Sequence, residues 1–280
     1  MTQVIADAPV ARPRFRFRLL IAAVALVAWT LITVFDPLRA GRAATIVGSL
    51  AEGLAWSILF AGVFLVILTL ACRWRDIGLN LPPTLRSLKL LWFPAIYLLL
   101  FFALDALVGP PPLIQVGFLV LNTALAAFSE ELMFRGVMYG ALRTRLGIWP
   151  SAIIATLLFG AVHALNIGVI GDIGTTGAQV VAATMSGLLF IAIRVRTDSL
   201  VPGMVYHALW DLSTLLAVVK VLSGDGAAAA GNGGAASPSP VMLLLPILFV
   251  LPNFIYALVL LRRAGRVASP PSDVAPAAAS

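Results

Sequence analysis

Apolar runs about as long as a membrane is thick recur along this chain from Leu19 to Leu261, with no long polar stretch between them. Crossing the hydrocarbon core takes about 20 mostly apolar residues, and eight segments approach or exceed that length: Leu19–Phe35, Ala51–Cys72, Leu88–Val108, Leu113–Leu142, Pro150–Gly168, Thr176–Ile193, Leu200–Val219 and Val241–Leu261. Of the 280 residues only 11% are charged, against about a quarter in soluble domains. The chain is therefore expected to be all-α, a polytopic transmembrane bundle of about eight helices. It divides into a basic cytoplasmic N-terminal tail (1–18), one transmembrane helical domain (19–262) and a disordered cytoplasmic tail (263–280).

The net charge of +7 could suggest a nucleic-acid partner, but the basic residues sit at the ends of apolar runs. That placement is topological, because Lys and Arg accumulate on cytoplasmic loops. With the N-terminus inside, fifteen basic residues fall on cytoplasmic segments, among them Arg12, Arg14, Arg16, Arg18, Arg73, Arg143, Arg194 and Arg262. The outer loops hold three, Arg39, Arg42 and Lys220, and Arg135 lies inside a helix. The expected partners are the lipid bilayer and a peptide or membrane-protein substrate, and no nucleic acid. No small-x-small cleavage site follows the first run, which reads as a retained signal anchor. The single cysteine, Cys72, excludes an intramolecular disulfide and any cysteine cluster. The Gly/Ala/Ser/Pro stretch Ser223–Pro240 reads as an outer loop.

Ionisable groups within the bilayer are costly and mark function unless a partner explains them. The fourth run holds Glu130, Glu131 and Arg135 in SEELMFRG, the fifth holds His163 in LLFGAVHALN, and the seventh holds His207 and Asp211 in YHALWDL. Glu131 and Arg135 are four apart with the acid first, the better order for a same-face ion pair. Glu130 is turned about 100° away from Glu131 and needs another group to face. His207 and Asp211 are also four apart, so the carboxylate can orient the ring, and Phe159 can wall the apolar side of His163. Helix rise puts Glu130, His163 and His207 roughly 12–20 Å deep from their cytoplasmic boundaries, near the middle of a core about 30 Å thick.

A glutamate and two imidazoles in a low-dielectric pocket can activate water, stabilise an oxyanion and protonate a leaving amine. The same set could hold zinc, because two histidines, a carboxylate and an open position make a catalytic zinc arrangement. Glu130, His163 and His207 would be the ligands of such an ion. An ion pair for Glu131 with Arg135 and an interhelical hydrogen bond for either histidine are the structural alternatives. Asp36, Glu52 and Asp105 read as structural.

In order, Glu130-Glu131-x-x-x-Arg135, Phe159-x-x-x-His163 and His207-x-x-x-Asp211 resemble the motifs of the CPBP family, which includes the type II CAAX prenyl endopeptidases and bacterial Abi-type proteins. The resemblance covers roughly Phe128 to Ser213. It implies a glutamate-dependent intramembrane endopeptidase in which Glu130 is the general base and His163 and His207 complete the water-activating site. Glu131 and Arg135 would support that site. The last motif position, often Asn in prenyl endopeptidases, is Asp211 here, a departure that bears on metal and substrate. Ala/Arg/Gly-rich usage points to a bacterial cytoplasmic membrane. Two alternatives to proteolysis are a non-catalytic immunity or scaffolding protein and a proton-coupled transporter. The second would call for internal repeats, which are not evident.

Overall fold

The computed structural model describes residues 17–34, 46–223 and 239–264, and all regular structure within them is helical. The N-terminal arginines before Arg18, the loop residues Asp36, Arg39 and Arg42, most of the Ser223–Pro240 stretch and the C-terminal tail lie outside the described residues. The elements are α1 (Arg18–Val34), α2 (Ile46–Glu52), α3 (Trp56–Ala71), a 3₁₀ segment Leu85–Leu91 leading into α4 (Trp92–Val108), and α5 (Leu113–Glu131). A π-helical segment, Leu132–Met138, joins α5 to α6 (Tyr139–Leu142). Next come α7 (Ile148–Val162), a 3₁₀ turn His163–Asn166, α8 (Ile167–Ile170), α9 (Ile173–Thr197), α10 (Val201–Ser223) and α11 (Pro240–Ala264).

Five helical rods among the described residues are long and apolar enough to cross a membrane: Leu85–Leu107, Leu113–Leu142, Ile148–Ile170, Ile173–Thr197 and Pro240–Arg262. The eight-run expectation is thus met in part. The first run becomes α1, of 17 residues. The second breaks at Gly53–Ala55 into α2 and the 16-residue α3, because Asn122 of α5 accepts from the Ala55 N–H and donates to the carbonyls of Leu50 and Gly53. The seventh run becomes α10, which is long but carries His207, Asp211 and Lys220, polar groups that dilute its apolarity.

Helix ends follow local chemistry. Gly109 takes a left-handed φ of 86° before Pro110–Pro112 and stops α4. Asp172 caps α9, accepting from the Thr175 hydroxyl and the Thr175 backbone N–H at 2.6 Å each. Those bonds, the hydroxyl first, hold its carboxyl below the usual carboxylate range.

In the packed bundle α9 lies against α7 and α11, α5 against α10 and α3, and α1 against α3 and the π segment. One continuous apolar core includes Leu65, Phe134, Phe159, Phe190 and Ile191. Close approach of α7 to α9 depends on Gly160. A Cβ there would collide with the Thr184 hydroxyl and lie 3.1 Å from the Val180 carbonyl oxygen.

At one end of the bundle the loop after α3 is pinned from two sides. The buried Arg18 donates to Asp76 at 2.7 Å and lies over the Trp74 ring. Arg194 covers Gly78 and reaches the Asp76 carbonyl at 3.3 Å. The Leu200 N–H donates to the Gly78 carbonyl at 2.7 Å, so the entry to α10 is fixed to the same loop.

Candidate active site

The α5–π–α6 rod carries Glu130, Glu131 and Arg135 into the core. Every residue of the π segment is buried, and such widened turns are frequent at functional sites. Arg135 and Glu131 are each 1% exposed. Arg135 Nη1 donates to Glu131 Oε1 at 2.9 Å, and Nη2 donates to the Gly187 carbonyl of α9 at 3.1 Å. The guanidinium lies 4.2 Å from the Phe159 ring centroid and 5.0 Å from that of Phe190. Gly187 is required by this closeness, since a Cβ there would stand 2.9 Å from the Phe159 ring and 3.1 Å from Arg135 Nη2.

His207 connects this sealed pair to a more open group. Its Nδ1 donates to Glu131 Oε1 at 3.0 Å. The opposite nitrogen, Nε2, faces Asp211 at 3.4 Å and Glu130 at 3.7 Å. The ring is thus held between Glu131, 76 residues away in sequence, and Asp211, which the i,i+4 spacing brings to its opposite nitrogen. Phe190 stacks on the imidazole at 4.3 Å, and Phe159 meets it edge-on at 6.0 Å.

His163 stands beside the same aromatic wall. Its ring is 4.9 Å from that of Phe159, and its Nδ1 lies 2.8 Å from the Phe159 carbonyl. A carbonyl only accepts, so Nδ1 donates and Nε2 is left to face the site. Glu130 lies within electrostatic range of His163, His207, Asp211 and Arg135. The side chains of Glu130 and Asp211 are 22% and 33% exposed. The cluster thus has a closed side, formed by Glu131, Arg135, Phe159 and Phe190, and an open side, formed by Glu130, Asp211 and His163.

All seven residues singled out from the sequence belong to this constellation. Three further contributors carry no sequence signal of their own: Phe190, Gly187 and Phe134, whose ring packs against Phe159 at 5.2 Å. Their roles arise from helix contacts at long sequence separation. Among the described residues no group of three or more His, Cys, Asp or Glu side chains is suited to hold a metal ion. In both imidazoles Nδ1 is the nitrogen bonded within the protein, to the Phe159 carbonyl for His163 and to Glu131 for His207.

Residues 112–213 match the family model described as Type II CAAX prenyl endopeptidase Rce1-like. Over this segment the chain is similar to the Rce1-like family. The matched segment begins at the start of α5 and ends within α10, so it contains every residue of the constellation. No curated protein and no solved structure gave a match to the chain.

Proposed function

We propose that this chain is a glutamate-dependent intramembrane endopeptidase that hydrolyses a peptide or membrane-protein substrate by activated water. The observation that carries this reading is the two-sided cluster. A carboxylate on the open side, Glu130, faces an imidazole whose other nitrogen is anchored to a sealed Glu131–Arg135 pair.

Water on the open side gives a proton to Glu130 as its oxygen bonds to the scissile carbonyl carbon. His207, carrying a proton on both nitrogens among Glu131, Glu130 and Asp211, donates from Nε2 to the resulting oxyanion. Collapse of the tetrahedral species breaks the carbon–nitrogen bond. The amine leaves with the proton that Glu130 took up, passed directly or through His163 Nε2, and the acyl half leaves as a carboxylic acid. Glu131 and Arg135 hold His207 in place and do not touch substrate. Asp211 sits where it can bias the charge around Nε2. A prenylated CAAX peptide is the first substrate class to try, because the matching family's description includes it.

The alternating excess of basic residues supports eight crossings with both termini on the cytoplasmic side of a bacterial membrane. α1, α3 and α10 would join the five longer spans.

The test compares wild type with Glu130→Gln, purified in detergent, on quenched fluorescent peptides that include prenylated ones, with and without chelator. Wild type should cleave, and the variant should lose about 10²–10⁴-fold in turnover, the usual contribution of a positioned general base. Equal cleavage by both forms would sink the reading. A wild-type rate that falls with chelator would assign a role to a bound metal.

A further inference from the structure

Asn166 closes the 3₁₀ turn that His163 opens. Side chains three apart eclipse on a 3₁₀ helix, which rises about 2 Å per residue, so Asn166 stands in line with His163 roughly 6 Å along the axis. Gln179 of α9 faces it, and Asn166 Nδ2 donates to Gln179 Oε1 at 3.0 Å. Both side chains are half-buried, and Leu165, Ile167 and Val181 around them are exposed apolar residues.

A primary amide offers two donors and an acceptor oxygen. One mutual bond leaves Asn166 Oδ1 as an acceptor and Gln179 Nε2 as a donor, which is the complement of a peptide N–H and C=O. Asn122 shows how an amide is used when its role is to hold helices together. It is buried and makes three bonds to the backbone of the α2–α3 break. The Asn166–Gln179 pair keeps its remaining capacity on an apolar, accessible flank, where polar groups without partners are costly.

We propose that Asn166 and Gln179 form a clamp that takes one backbone peptide group of an extended substrate and so sets which bond reaches Glu130 and His163. This inference rests on the endopeptidase reading. An extended chain advances about 3.3 Å per residue, so the clamped group lies about two residues from the scissile bond. Neither residue touches the reacting atoms, and both act by fixing register.

The probe is a fluorescein-labelled farnesylated CAAX peptide together with a series carrying a single backbone N-methyl group at successive positions. Affinity is read by anisotropy with Glu130→Gln protein, and cleavage is read with the otherwise wild-type enzyme. At one position, about two residues from the cleaved bond, N-methylation should weaken binding about tenfold, the scale of one lost hydrogen bond. In Asn166→Leu that penalty should vanish, with KM raised and kcat little changed. Gln179→Met, nearly isosteric, provides a second cycle should Asn166→Leu fail to fold, read by replacing the partner carbonyl with a thioamide.

A penalty that persists undiminished in these variants, or a probe series with no sensitive position, would overturn the clamp. So would failure of every probe to bind. Binding with the predicted pattern but no cleavage by wild type would uphold the clamp and sink the endopeptidase reading instead.

Discussion

Two adjacent glutamates occupy opposite environments, and the difference sets what each can do. Glu131 is sealed and bonded to both Arg135 and His207, so its removal strands a guanidinium in the core. Breaking a buried pair in this way costs about 3–5 kcal/mol. Glu131→Ala should therefore lower the thermal midpoint in detergent sharply, whereas Glu130→Gln, on the open side, should leave it nearly unchanged. A pair of melting curves distinguishes them, and equal midpoints would contradict the division of roles. The identities of Glu130, Glu131, Arg135, His163, His207 and Asp211 were legible because ionisable groups in apolar runs are conspicuous. Their pairing was legible only where partners share a helix. Glu131 with Arg135 is a local contact, while Glu131 with His207 is made by α5 packing on α10, which no spacing reveals.

Helix α9 organises the site without supplying an ionisable residue to it. Its Gly187 carbonyl holds Arg135, its Phe190 stacks on His207, and its Thr184 fits against Gly160 of α7. Gly160→Ala should force α7 and α9 apart, with an overpacking penalty of about 1–3 kcal/mol and a matching loss of cleavage as His163 moves away from Glu130. Unaltered stability and activity would show that the contact can relax at no expense. The π segment was hidden from the sequence for a related reason. Leu132–Met138 is buried all round, so its apolar residues mark no face and no period. The break between α2 and α3 was equally invisible, because Asn122, some seventy residues downstream, stabilises it.

For the molecule as a whole, the eight apolar runs located the longer helices to within about five residues but missed α2 as a separate helix. Length told apart what composition could not. α3 spans 16 residues, which makes it about 24 Å long beside a hydrocarbon core of about 30 Å. It packs on α1 and on α5. Trp29 of α1 donates to Ser129, the residue before Glu130, at 2.8 Å. Under the proposed eight-span topology, lipid that meets this flank would thin to match, at fractions of a kcal/mol per Å. Headgroups and their hydration would then be drawn toward the layer that holds Glu130. The lipid would thus act as part of the water supply of the proposed hydrolase. Turnover in vesicles should rise as acyl chains shorten and fall as they lengthen, and rates indifferent to chain length would refute the idea.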